Sequence, residues 1–230
     1  MAIRLYELKG AGECRFSPYC WRTRLALAHK GLEAELIPVR FTDKDIIAFS
    51  GQSRVPVLFD GETTVSDSWT IACYLEDTYA DRPSLFGGDG GRSVSRILNA
   101  WMDKTQNPLI VRMIVLDIHN GIEDVDHDYF RTSREQRFGI ALEDVQADRA
   151  ERVENFRAGL EFLRDILDEQ PFLSGATPAY ADYIVFSAFQ WSRCMSQFEL
   201  LLADDPLHQW HDRMLGLFDG LAAKAAIAAG

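Results

Sequence analysis

"RFSPYCWRTRLALAHKG", residues 15–31, decides how the first third of the chain reads. Pro18 suits the first position of a helix, where its missing N–H costs nothing, and Ser17 before it is a good N-cap. Gly31 suits the left-handed residue just past the other end. The stretch therefore predicts a helix over 18–30. Upstream, "IRLYEL" (3–8) reads as a short strand, so Ser17 falls where a strand hands over to a helix. In open α/β sheets that edge is where ligands bind, and a helix start offers free amides and positive dipole character.

Downstream, "AELIPVRF" (34–41) reads as a second strand, with Pro38 confining it to an edge. "VPVLFDG" (55–61) and "TTVSDS" (63–68) read as two strands joined at Asp60–Gly61, and 67–79 as a helix. The order β-α-β-(α)-β-β-α fits a compact α/β unit. "ADRPSLFGGDGGR" (80–92), with four glycines and a proline, reads as a linker. Beyond it everything reads as helix. Leu142, Val145, Val153, Phe156, Leu160, Leu163 and Leu167 keep a three-or-four spacing that predicts one long helix over 133–169, broken only at Arg149. Further helices are expected over 180–197 and 206–218. The expected organisation is an α/β domain at 1–81, a linker at 82–92 and an all-helical domain at 93–230.

The chain has 230 residues, 24 Lys plus Arg and 35 Asp plus Glu, for a formal net charge of -11. No basic cluster stands out, which argues against a nucleic-acid partner. Residues 1–80 hold 9 basic and 11 acidic groups, so most of the acidity lies downstream and an anionic ligand meets less repulsion in the first third. Arg4, Glu7 and Lys9 interrupt any apolar signal core, and no apolar run is long enough to span a membrane. Cys14, Cys20, Cys73 and Cys194 show no paired spacing, as expected for reduced thiols in a cytoplasmic protein.

Four short features carry the functional reading. Ser17-Pro18-Tyr19-Cys20 has the spacing of the Cys-Pro-Tyr-Cys site of thiol–disulfide enzymes, with the first sulfur replaced by oxygen. Ser17 reads either as a plain cap or as a catalytic hydroxyl. Cys20 reads either as a small buried side chain or as a redox thiol. Pro56 enters an apolar strand where it cannot donate to the ladder, so Val55–Pro56 is either a trans edge proline or a cis bond that turns the Val55 backbone towards a ligand. Asp67-Ser68-Trp69 alone is an N-terminal cap. His208 and His211, three apart with no third ligand near, read as a solvated face and not as a metal site.

Taken together, "SPYC", "RVPV" and "DSW" resemble the glutathione transferase family, and the resemblance covers nearly the whole chain. It implies an α/β thioredoxin-like N-terminal domain followed by an all-α C-terminal domain, the glutathione transferase fold. It also implies a homodimer, with glutathione as co-substrate. By that resemblance Ser17 handles the glutathione thiol, the neighbour of a cis Pro56, Val55, bonds the tripeptide backbone as an added strand would, and Asp67 with Ser68 takes the γ-glutamyl end. Trp101, His119, Tyr129 and Trp191 are candidates for the pocket of a hydrophobic, aromatic electrophile. "SPYCWRTRLALAHKG", "DSWTIACYLEDTYADRPSLF", "SREQRFGIALEDVQADRAER" and "DPLHQWHDRMLGLFDGL" further resemble the bacterial β-etherase branch, which implies cleavage of β-aryl ethers. A glutathione-dependent reductase acting through Cys14 or Cys20, and a non-catalytic carrier of hydrophobic anions, are the competing readings. One departure is visible. "TPAYADY" puts Ala179 three residues before Asp182, where the family has a capping Ser, Thr or Asn. Thr177 is the nearest substitute; without it the cap is weaker by about 1 kcal/mol.

Overall fold

The computed structural model describes residues 3–228. Strand β1, Ile3–Leu8, forms the middle of the sheet, and Leu5 at its centre is fully buried. β1 pairs in parallel with β2, Ala34–Val39, and antiparallel with β3, Val57–Asp60, which pairs antiparallel with β4, Thr63–Ser66. The strand order is β2-β1-β3-β4, so Pro38 does lie on an edge strand. Leu5 sits opposite Leu36 on one side and Leu58 on the other, which fixes the register of the three strands. A turn of 3₁₀ helix, Lys44–Ser50, follows β2. Gly61, at φ 62°, closes the hairpin between β3 and β4.

Helix α1, Pro18–His29, ends as its sequence requires, with Gly31 at φ 64°. Helix α2, Ser68–Thr78, is capped by Asp67. The buried Lys30 ammonium, 2.6 Å from Glu76, ties the end of α1 to α2. The helical half is α3 (Asp89–Trp101), a π-helical turn (Met102–Gln106), α4 (Asn107–Asn120), α5 (Asp124–Phe138), α6 (Leu142–Gln146), α7 (Arg149–Ala158), α8 (Glu161–Glu169), α9 (Tyr180–Met195) and α10 (Leu207–Gly220).

Two expectations need correction. The segment expected as one helix over 133–169 is four helices. Gly139 takes φ 77° and ends α5, and further breaks fall between α6 and α7 and at Gly159–Leu160. The apolar stripe is real, since Leu142, Val145, Val153, Phe156, Leu160 and Leu163 are all buried, but it is spread over separate helices. Likewise α3 already starts at Asp89, inside the stretch expected as linker, and takes Gly90 and Gly91 into its first turn.

One hydrophobic core runs through both halves. Helix α9 is buried along almost its entire length and packs against α1 and α3. Polar contacts pin the seam. Arg22 on α1 is 0% exposed and donates to Asn99 Oδ1 at 3.0 Å and Asp103 Oδ1 at 2.9 Å. Tyr180 at the start of α9 donates its hydroxyl to the Ser68 carbonyl at 2.8 Å. No side chain caps α9. Asp182 instead accepts from the Ala179 amide at 3.2 Å and also takes Leu173 N, Ser174 N and Trp210 Nε1 at 2.7, 3.2 and 3.0 Å. Ala179 has no acceptor to return, so only half of a capping box exists.

Candidate active site

The strand-to-helix hand-over after β1 places Ser17 in the lining of a cavity of about 650 Å³ between the two halves. The Ser17 hydroxyl accepts from the Cys20 amide at 3.4 Å. That bond is long and weak, so the oxygen is not committed to capping. Val55 and Arg54, just before β3, line the same cavity. The Val55–Pro56 bond is cis, one of the two forms considered from the sequence.

Asp67 and Ser68 stand one step further along. The Asp67 amide donates to the Pro56 carbonyl at 3.4 Å, which brings the β4–α2 corner against the start of β3. Asp67 holds φ 76°, a region costly for a residue with a Cβ. Its Oδ1 accepts from Trp69 N at 3.1 Å, Thr70 N at 3.0 Å and Thr70 Oγ1 at 3.2 Å. Asp67 thus consumes two of the helix-start amides itself through Oδ1. Ser68 is 2% exposed, and neither residue lines the main cavity.

The thiols are badly placed for catalysis. Cys20 is buried, and loss of solvent, helped by the Glu7 charge behind it, pushes its thiol up to about 12. Cys14 is also buried, with Sγ 3.6 Å from the Cys194 carbonyl oxygen and 3.7 Å from Met195 Sδ. The contact between the two thiols pulls the Cys14 thiol down and pushes the Cys194 thiol up, and both are buried. None of the three lines the cavity.

The helical wall is mixed, with an apolar part beside Asp103, Asn107, Ser133 and two arginines. Pro108, Val111 and Ile118 come from α4, Phe130 from α5 and Trp191 from α9. Of the pocket residues expected from the sequence, Tyr129 and Trp191 are in this wall. Trp101 and His119 are not. Trp101 stacks edge-on against Phe162, ring centres 4.9 Å apart, and His119 lies on His127 at 4.5 Å. His211 departs from expectation too. It packs against Phe186 and Phe189 and not on a solvated face, and burial pulls its pKa down to about 4.

Sequence reading missed the cations. Arg40, Lys44 and Arg54 line the α/β side of the cavity, Arg134 and Arg137 the α5 side. Arg40 is neutralised by Asp43 through bonds of 2.7 and 2.9 Å. The acid in the wall, Asp103, is held by Arg22. Lys44 lies over the Tyr129 ring at 4.6 Å, and its hydrogen bond draws the Tyr129 hydroxyl below its ordinary pKa. The Arg134 guanidinium lies 4.3 Å from the Phe130 ring centre and 4.9 Å from that of Phe41. A second cavity of about 530 Å³, near His29, Ser84 and Thr177, contains none of these groups.

Two family descriptions match. "Glutathione S-transferase, N-terminal domain" covers residues 16–78, and "Glutathione S-transferase, C-terminal domain" covers 94–216. Glutathione S-transferase Z2 of Arabidopsis thaliana is 39% identical over 69 residues, which is 28% of this chain and 31% of that protein. Glutathione S-transferase 4 of Zea mays is 26% identical over 215 residues, covering 91% of this chain and 86% of its own. Among solved structures, the glutathione S-transferase CsGST63524 of Ceriporiopsis subvermispora, in complex with glutathione, superposes with a TM-score of 0.81 at 22% identity, over 95% of this chain and 97% of that one. At that identity the likeness speaks for the fold.

Proposed function

This chain belongs to the glutathione S-transferase family, and we propose that it joins glutathione to an electrophilic carbon of a hydrophobic, aromatic substrate, with Ser17 stabilising the thiolate. Residues 1–81 hold the tripeptide and residues 93–230 hold the substrate, although positions 1–2 and 229–230 lie outside the described residues. The Ser17 hydroxyl donates to the sulfur anion, and the start of α1 adds its dipole. An ordinary thiol, with a pKa of about 8.5, is mostly protonated at neutral pH, so this is the group that needs help. Val55 meets the peptide backbone, Asp67 Oδ2 takes the γ-glutamyl ammonium, and Ser68 serves the adjoining carboxylate.

In the ether-cleaving version the thiolate attacks the carbon bearing the aryl ether. The C–S bond forms and the C–O bond breaks. The aryl oxygen leaves with the electron pair and takes up the proton lost by the thiol, giving a phenol and a glutathione thioether. The observation that carries this reading is that Ser17, at a helix start, faces the same cavity as the apolar wall of Pro108, Val111, Phe130 and Trp191. A redox cycle through Cys14 or Cys20 is disfavoured by their burial. The working unit is a cytoplasmic homodimer, a proposal resting on the family and on the exposed Val94 and Ile97 of α3. Light scattering at the monomer mass would refute that part. The activity is tested by incubating the protein and glutathione with a chlorodinitrobenzene and a panel of β-aryl ethers. Thioether product under enzyme control supports it, and no product from any aryl electrophile sinks it.

A further inference from the structure

Four cations in the cavity, Lys44, Arg54, Arg134 and Arg137, have no carboxylate within salt-bridge distance among the described residues, although the whole chain carries a net charge of -11. Cations without partners, gathered in one cleft of an acidic protein, make it an anion trap. Glutathione as its thiolate has two carboxylates, one ammonium and one sulfur anion, a net of two negative charges. Lys44 and Arg54 stand on the α/β side with Ser17, where the tripeptide carries that charge. Arg134 and Arg137 come from α5, on the helical side, and Arg134 meets Lys44 at Tyr129, where the two halves face each other.

Arg134 is the better placed of the two. It is half-buried, so water does not fully solvate it, and loss of solvent pulls its pKa below the ordinary arginine value. It nevertheless stays charged. Its guanidinium lies against the touching rings of Phe41 and Phe130, donates to Ser133 Oγ at 2.7 Å, and abuts the Tyr129 hydroxyl. A flat, oriented guanidinium beside an aromatic wall suits a flat anion attached to a ring.

We propose that the electrophile is an aromatic carboxylate, and that Arg134 is the residue that selects it by pairing with the carboxylate while the ring lies along Val111 and Trp191 of the apolar wall. The proposal rests on the transferase reading above. The anionic group does not react. Glutathione thiolate attacks the ring or benzylic carbon, the C–S bond forms, and the leaving group departs with its electron pair as chloride or phenolate. The thiol proton goes to solvent or to the phenolate.

The test uses a matched pair, a chloronitrobenzoate and the corresponding chloronitrobenzamide, with each kcat/KM divided by the uncatalysed rate with glutathione. The expected preference for the benzoate is about tenfold, the scale of one charge-assisted hydrogen bond. Arg134→Gln should collapse that ratio to near one, and Arg134→Lys should restore part of it. No preference in the wild type, a preference that survives Arg134→Gln, or a matching loss of glutathione affinity in that variant would each overturn the assignment. If the wild type turns over neither probe, the transferase reading is decided separately, by the chlorodinitrobenzene and aryl-ether panel. Quenching of tryptophan fluorescence by the non-reacting nitrobenzoate and nitrobenzamide then still decides. Tighter binding of the anion, weakened by added salt and lost in Arg134→Gln, supports the anion site, and equal binding refutes it. Should both variants misfold, the wild-type preference and its salt dependence decide alone.

Discussion

Replacing Ser17 with alanine separates two jobs done by one oxygen. Its bond to the Cys20 amide is 3.4 Å long, so the cap lies at the low end of the usual range, about 0.5 kcal/mol. For a chain of this size that lowers the melting temperature by only about 1–2 °C. A hydrogen bond to a sulfur anion is stronger, about 1.5–3 kcal/mol. At 1.36 kcal/mol per unit, its loss raises the pKa of bound glutathione by about 1–2 units. The rate at about pH 6.5 should therefore fall roughly 10- to 100-fold, and the two enzymes should converge above about pH 9.5, where the thiolate forms unaided. The assay is kcat/KM against pH with a chlorodinitrobenzene, backed by ultraviolet titration of the bound thiolate. Superimposable profiles for wild type and Ser17→Ala would refute the role given to the hydroxyl. A variant slow by the same factor at every pH would assign Ser17 to positioning and not to ionisation.

Ser17→Cys should gain a mixed disulfide with glutathione disulfide, since its sulfur can displace one glutathione thiolate, and mass spectrometry reads the adduct. Asp67→Ala loses the α2 cap and keeps a Cβ at φ 76° without the side-chain bonds that hold it there, whereas Asp67→Gly removes the Cβ and its strain. Alanine should be the less stable by about 1–2 kcal/mol in urea denaturation, while both lose glutathione affinity in calorimetry. Asp182→Ala removes the acceptor of four N–H groups, of which Trp210 Nε1 is buried, and should cost about 2–4 kcal/mol in the same denaturation assay. His211 has a folded pKa of about 4, below its unfolded value, so its contribution is fully present above the unfolded pKa and is lost as pH falls towards 4. Between about pH 7.5 and pH 5 it removes about 2 kcal/mol of stability, and His211→Leu should flatten that part of the pH–stability curve.

Local chemistry made α1 and α2 legible. Ser17-Pro18, Gly31 and Asp67 act within a few residues of themselves, so sequence alone locates them. The long helix failed for the converse reason. An apolar stripe records which face is buried, and four short helices wrapped on one core can keep that stripe in phase across breaks. Gly139 was the visible warning. Trp101 and His119 were chosen for aromatic character, which does not say which neighbour covers a ring. Arg134 was invisible because an arginine on a polar helix reads as solvated. Only the approach of Phe41, from a segment more than ninety residues earlier in the chain, encloses it.

The Arg22 contact across the seam limits how such a protein can diversify. The guanidinium is sealed in place, and its partners Asn99 and Asp103 come from the other half of the chain. A recombinant that joined this α/β half to a foreign helical half lacking those two acceptors would strand a buried cation, at a cost of about 3–5 kcal/mol. That is a large share of a domain's whole stability. New specificities are reached more cheaply by point changes on the α5 wall, at positions such as Ser133 and Arg137, than by exchanging modules.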